Sequence, residues 1–380
     1  MKTVFILGAG ASVAAGAPLM NNFLARAKAL HATGVYGKDQ DAINEVLTAA
    51  YQDLKSIYAT STIDHRNIEE LFSAIEIACL INSFGSRRPE DIGKLRDSIV
   101  TFIYRTIEET ICIPKREKQI GLPKGYDKLA ARVRKHIEKN IGTNREPVSF
   151  ITFNYDTSLE YSLVRSGLGV SYGLPEPFAN QSEENYQVKN QVRIPVLKLH
   201  GSINWGYCLQ CKRIIPTEID QWRHTTFIDI FGAPEILRLT PASRLATHHH
   251  KACGKTLYSL PFIVPPTWNK STEYEDLRAV WKRAATEISN AENIVVIGYS
   301  FPAADTFFKY LFALGSMNSS SAQLENFLVI NGAEKPGDAR YLETIKRFEG
   351  LLGQMNKHGF RSHPMNFEGA DGVLNGILPT

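Results

Sequence analysis

The feature that most constrains this chain is a recurring one: short apolar runs that stop abruptly at glycine or at a polar residue. VFIL before Gly8-Ala9-Gly10, VSFIT before Phe153-Asn154-Tyr155-Asp156, IPVL before Lys198-Leu199-His200-Gly201, NIVVI before Gly298-Tyr299-Ser300 and NFLVI before Asn331-Gly332 share this form. Runs this short and this uniformly apolar read as strands buried on both faces, which is the signature of a parallel sheet. The expected fold class is therefore α/β, a Rossmann-like parallel sheet with helices on both faces. Such a sheet gathers its strand ends on one edge, where it binds ligands.

Between Lys38 and Lys139 the pattern changes. DAINEVLTAAYQDLKSIY, NIEELFSAIEIACLINSF, DIGKLRDSIVTFIYRTIEETI and YDKLAARVRKHIEKNI repeat apolar residues three or four positions apart, the period of an amphipathic helix. Four helices and no strands are expected there. A segment rich in cysteine and histidine, roughly Tyr207 to Leu257, lies between the LHG and GYS strands and reads as a small inserted module. The expected organisation is a Rossmann-like unit of residues 1–37, 146–206 and 258–380, a helical insertion over 38–145 and a zinc module over 207–257. Ser12 onward reads as the helix that follows the first glycine turn. DARYLETIKRFEGLLGQMNKHG reads as the last helix, with a short closing strand near Phe360 to Phe367.

With 380 residues, 43% of them hydrophobic and 22% charged, the chain can bury a core and falls outside the disordered, collagen-like and multi-span membrane classes. Its 43 Lys and Arg against 39 Asp and Glu leave a net charge of +4, too little to argue for a nucleic-acid or membrane partner. The Gly-rich start superficially resembles a secretory signal, but strand, glycine turn and helix account for each of its residues. Five unevenly spaced cysteines are too few for a disulfide scaffold and point to a reducing, cytoplasmic compartment with one metal site.

The strand tips carry the candidate chemistry. Gly8, Ala9, Gly10 and Ser12 form a strand-to-helix turn whose amides can approach a phosphate, although the spacing departs from the usual dinucleotide fingerprint and a tight structural turn also accounts for it. Asn154 can orient a ribose hydroxyl or a water, and Asp156, two residues on, faces the same side of an extended chain and can accept from an amide; Asn and Asp are also common turn residues. His200 ends another strand and is a candidate general base. Ser300 and Asn331 end the later strands, where ribose contacts and ordinary turns are both open. Cys208 and Cys211, followed by His250 and Cys253, make two knuckles suited to tetrahedral structural zinc. Adjacent His248 and His249 leave the fourth ligand open.

The order of these motifs, GAGAS with a following Pro18, then FNYD, LHG, a two-knuckle Cys/His insert, GYS and VING, resembles the sirtuin superfamily, in particular its bacterial sirtuin-like branch used in antiphage defence. The resemblance covers about residues 2–37 and 148–332, with NIEELFS also similar. It implies that Gly8, Ala9, Gly10 and Ser12 meet the phosphates of NAD, that Asn154 and Asp156 meet the nicotinamide ribose and amide, and that His200 is the catalytic histidine. Ser300 and Asn331 would lie on the adenosine side, and the Cys/His set would be the zinc module.

Two departures bear on activity. Protein-deacylating sirtuins follow the proline with Asp-Phe-Arg and precede the asparagine with Gln, whereas here Leu19-Met20-Asn21 follow Pro18 and Phe153 precedes Asn154. Defence members consume NAD, and some act with a HerA-type ATPase encoded beside them. The resemblance thus implies an NAD glycohydrolase with such a partner, in a homo-oligomer, with nucleic acid reached only through the complex. An NAD-dependent protein deacylase, and a nucleotide- or DNA-associated subunit without chemistry of its own, are the alternatives.

Overall fold

The computed structural model describes residues 1–54, 67–116, 119–140, 147–175, 192–217, 223–226, 236–264, 275–302, 306–317, 324–332, 337–352 and 359–379. Its strands are β1 (Thr3–Leu7), β2 (Ile113–Arg116), β3 (Gln119–Ile120), β4 (Val148–Thr152), β5 (Gly169–Ser171), β6 (Arg193–Lys198), β7 (Trp205–Cys208), β8 (Arg213–Pro216), β9 (Arg223–Thr226), β10 (Ile236–Leu239), β11 (Asn293–Ile297), β12 (Asn326–Asn331) and β13 (Phe360–Pro364). Its α-helices are α1 (Phe23–Ala32), α2 (Gln40–Thr48), α3 (Ile68–Ile81), α4 (Pro89–Thr110), α5 (Tyr126–Lys139), α6 (Ser158–Arg165), α7 (Glu275–Ser289), α8 (Thr306–Met317), α9 (Ala339–Leu352) and α10 (Asp371–Leu374).

The five apolar runs become β1, β4, β6, β11 and β12, and with β5 and β13 they form one seven-stranded sheet in the order β13-β12-β11-β1-β4-β6-β5. Every pairing in it is parallel. Alternation along each strand splits the core in two. Val4, Ile6, Val296 and Val329 face one side, beneath α7, α8 and α9, while Phe5, Leu7, Val295 and Ile330 face the other, beneath α5, α6 and α10. Full burial of each such side chain is worth about 1.5–3 kcal/mol, so covering both faces is what makes continuous apolar runs stable as strands. From β1 the chain passes to β4, then to the edge strand β5, inserts β6 between those two, and returns to β11 on the other flank of β1. The strand order thus reverses between β1 and β11, and open α/β sheets bind ligands outside the carboxyl ends of the strands at such a point.

Four of the sequence expectations are corrected. Ser12 does not begin the α-helix: a 3-10 helix spans Ala9–Ala15 and ends at Gly16, and Pro18, which lacks an N–H and restricts the residue before it, separates this turn from α1. The region from Lys38 to Lys139 is not free of strands. β2 and β3 lie within it: they pair antiparallel with each other, and β2 pairs antiparallel with β10, in a second sheet ordered β3-β2-β10-β9. Strands this short have no periodicity to read, and β10, which fastens β2 into the sheet, lies more than a hundred positions away. The segment from Tyr207 to Leu257 accordingly divides, with β7 and β8 forming a separate hairpin around the Cys/His cluster and β9 and β10 joining the second sheet. Finally, α1 packs into the helical unit with α2, α3 and α4, whereas α5, grouped with those helices by its periodicity, covers the parallel sheet.

Local signals explain the helix ends. Asn67 Oδ1 caps α3 by accepting from Glu69 N at 3.0 Å. Pro89 sits in the first turn of α4 with Glu90 and Asp91, where a missing N–H costs nothing and negative charge is favourable. Buried Arg132 on α5 donates to Asp371, Asn375 and the Leu378 carbonyl, which ties the last turns of the chain to the helix covering the sheet.

Candidate active site and metal centre

The carboxyl ends of β1 and β11 touch through backbone. Gly8 N donates to Ile297 O at 3.1 Å and Gly10 N to Gly298 O at 2.8 Å. Gly298 has φ +61, and a Cβ there would stand 2.2 Å from Ala11 N; only glycine fits so close an approach. The glycines of the first turn therefore serve strand-to-strand contact as well as any ligand. Ala11 N folds back onto Gly8 O at 3.0 Å.

Ser12, on the 3-10 turn that follows, is the hub of a buried cluster. Its Oγ donates to Asp156 Oδ2 at 2.7 Å, lies 2.8 Å from Tyr126 Oη, and accepts from Asn154 Nδ2 at 3.1 Å. Asn154 Nδ2 also donates to Gly8 O at 2.9 Å. A carboxamide has two N–H hydrogens, and both are committed to protein acceptors, so what Asn154 has left for a ligand is the acceptor Oδ1. Because Gly8 O can only accept, the amide orientation follows from chemistry. Asp156 Oδ1 meanwhile accepts from Ser158 N at 2.9 Å and caps α6.

His200 is placed differently. Its ring meets Phe153 edge-on at 5.3 Å and tilts against Tyr155 at 6.3 Å, and Phe153 stacks on Tyr299 at 4.4 Å, 7° from parallel. The extended FNYD segment thus alternates: residues 154 and 156 turn toward Ser12, while 153 and 155 carry His200. Ile203 N donates to Tyr155 O at 3.0 Å and Leu199 N to Thr152 O, which fastens the two strand tips together. Ser300 is exposed at the end of β11 and Asn331 half-buried at the end of β12. They share the sheet edge with the others but not the Ser12 cluster.

Beneath this edge lies a group that the sequence reading overlooked. Lys198 and Glu160 are both 1% exposed and pair at 2.8 Å, and Lys198 Nζ also donates to the carbonyl of Asp156 at 2.5 Å. Burial pushes the Glu160 carboxyl up in pKa, against the pull of Lys198. The pair joins β6, α6 and the FNYD turn. Its signal in the sequence was a lysine inside an apolar strand run, since a lysine is rarely buried without a partner.

Cys208, Cys211, His250 and Cys253 come together with all four ligand atoms within 4.8 Å of one another. Cys208 Sγ is 3.5 Å from Cys253 Sγ, which is 3.4 Å from His250 Nδ1; an S–S bond would be about 2.05 Å, and all five cysteines are free thiols. The Lys255 backbone amide pulls the Cys253 thiol below its ordinary range. Three sulfurs and an imidazole nitrogen at this spacing suit a tetrahedral cation, and the cluster can hold zinc. The tertiary structure selects His250 among the three histidines, because it is the imidazole whose ring nitrogen joins the three sulfurs. No helix among the described residues is long and apolar enough to cross a membrane.

No curated protein matches the chain in sequence. Solved structures similar to it include a Sir2 protein bound to an inhibitor, 2'-O-acetyl-ADP-ribose and a deacetylated peptide, 15% identical over 99% of this chain and 93% of that one, with a TM-score of 0.37. A point mutant of a Sir2 homologue in complex with ADP-ribose is 16% identical over 93% and 95%, with a TM-score of 0.32. Identities and scores this low leave the assignment to the family comparison. There the model of the SIR2-like domain matches residues 148–349, the stretch that runs from β4 through α9 and contains Asn154, His200 and the Cys/His cluster. That match takes in more than half of the chain, and the protein belongs to the SIR2-like domain family.

Proposed function

We propose that the protein hydrolyses NAD to nicotinamide and ADP-ribose. The observation that carries this reading is Asn154: both of its amide hydrogens are held by Gly8 and Ser12, and the remaining acceptor suits a ribose hydroxyl or an attacking water. Nicotinamide leaves as a neutral base, so the reaction needs no general acid. Asn154 orients the ribose or the water, and His200, anchored on Phe153 and Tyr155, takes the proton released when water adds to the ribose carbon, directly or through a ribose hydroxyl. Gly8, Ala9, Gly10, Ser12, Asp156, Ser300 and Asn331 form the surrounding edge for the nucleotide. Membership of the family supports NAD as the ligand, and the Cys/His cluster supports a structural zinc ion.

Hydrolysis is favoured over deacylation by the two motif departures, and Phe153 adds to this, since its ring is engaged by Tyr299 and His200 where deacylating relatives have a glutamine. The role in antiphage defence and the HerA-type ATPase partner rest on the resemblance in motif order. One experiment tests both levels: purified protein is incubated with NAD, alone and with the ATPase, and nicotinamide and ADP-ribose are followed by chromatography. The expected outcome is product formation that falls at least a hundredfold in Asn154→Ala and in His200→Ala, the range for loss of acid–base groups. Full turnover in His200→Ala would remove that residue from the mechanism, and O-acyl-ADP-ribose formed from an acetylated peptide would decide for the deacylase.

A further inference from the structure

The hydroxyl of Ser12 is saturated, and counting its hydrogens fixes the direction of every bond around it. Ser12 Oγ has one hydrogen and gives it to Asp156 Oδ2 at 2.7 Å; an ionised carboxylate has none to return. Its two lone pairs therefore accept, one from Asn154 Nδ2 at 3.1 Å and one from the phenol of Tyr126 at 2.8 Å. Tyr126 is thus the donor of that bond. Burial, reinforced by the negative charge of Asp156 and only partly opposed by the side chains of Ser12 and Asn154, holds its hydroxyl well above the usual tyrosine range, so the phenol keeps its hydrogen throughout the physiological range.

Tyr126 lies outside the matched SIR2-like region and belongs to none of the strand-tip motifs. It is the first residue of α5, fully buried. Gly125 brings it there at φ +83, a conformation that disfavours any residue with a Cβ, and a Cβ at that position would stand 2.6 Å from the Phe367 ring. The Tyr126 ring meets Phe367 edge-on at 5.3 Å. Packing therefore aims the hydroxyl at Ser12 from the helix that covers the sheet.

Resting on the function proposed above, we infer that Tyr126 is a positioning residue of the NAD site: through Ser12 its hydroxyl holds the Asn154 carboxamide with Oδ1 left for the ligand. Removing the phenol oxygen frees a lone pair on Ser12 and loosens the hold on Asn154, while the ring keeps its place against Phe367.

The test is a double-mutant cycle on the full chain with Tyr126→Phe, Ser12→Ala and the two combined. Tyr126→Phe is expected to lower kcat/KM for NAD about fivefold, the scale of one neutral hydrogen bond, and to have a clearly smaller effect once Ser12 is alanine. Equal losses in both backgrounds, or no loss in the first, would overturn the assignment, because a packing role for the ring does not depend on the serine. The same cycle read as ADP-ribose affinity by calorimetry needs no turnover. A chain that binds ADP-ribose with the non-additive pattern but releases no nicotinamide keeps Tyr126 and discards hydrolysis. Additive losses with hydrolysis intact discard Tyr126 alone, and a chain that neither binds ADP-ribose nor turns over NAD discards both.

Discussion

The Cys/His cluster and the Ser12 cluster are both small, polar and largely shielded from solvent, yet they are held by opposite means. The first draws on two short segments, Cys208 to Cys211 and His250 to Cys253, seated on the β7–β8 hairpin with a minor apolar core of Ile215 and Leu257. With so small a core, a cation bound at this cluster would add stabilisation that packing does not supply. The Ser12 cluster draws single residues from the first turn, the FNYD turn and α5, and its order comes from two large sheet cores and a saturated set of hydrogen bonds. A local site can rely on its ligand; a distributed site relies on the fold.

The largest effect expected from this contrast is metal removal. Chelation, or Cys208→Ser, should take bound zinc from one equivalent to none and open the β7–β8 hairpin to proteolysis, while the parallel sheet keeps its far-UV signature; metal analysis with peptide mapping checks this. Wild-type protein that holds no metal and a protected hairpin would show that packing alone suffices there. Next is Lys198→Met. It leaves Glu160 as an uncompensated buried charge beneath the Ser12 cluster and should cost about 3–5 kcal/mol in denaturant unfolding, with much of that recovered when Glu160 is also made methionine. No recovery in the double variant would mean that the Lys198 bond to the Asp156 carbonyl, rather than charge pairing, dominates.

The smallest effect lies where the helical unit meets the 3-10 turn, Ala242–Thr247, that follows β10. Glu108 near the end of α4 is fully buried and accepts from Ser243 Oγ and N. Burial pushes its carboxyl up to about 7. Between about pH 4.5, the ordinary value, and pH 7 the folded chain holds a proton that the unfolded chain releases, so this group makes stability fall as pH rises through that window. The full swing is roughly 3 kcal/mol. Glu108→Gln should flatten the dependence, which denaturant midpoints at pH 5 and pH 8 would reveal; parallel slopes in the two proteins would assign it to other groups.

Much of the fold was legible because its signals are local. An apolar run that ends at glycine is a buried strand whatever surrounds it, and the four long helical periods appear as α2, α3, α4 and α5. The Cys/His set was legible for the same reason, since two knuckles carry their spacing in the sequence, although only the position of the imidazole ring singles out His250. β2 and β3 were not legible, because the pair is too short to show a period and is fixed in place through the bond of β2 to the distant β10. The grouping of α1 and α5 failed because period says that a helix is amphipathic and does not say which core its apolar face meets. Tyr126 carried no signal at all, being an aromatic at the start of an amphipathic helix like many others.

The sequence by itself determined the elements that depend on neighbouring residues: the buried strands, the helical periods, the polar strand tips and the metal knuckles. Only the tertiary structure decided which tips share hydrogens, that Asn154 is left with its acceptor, that Tyr126 donates to Ser12, and that Lys198 is paired beneath them. The physical reason is that strand and helix propensities act over a few residues, whereas hydrogen-bond saturation at Ser12 is a property of atoms that chain topology brings together from more than a hundred positions apart.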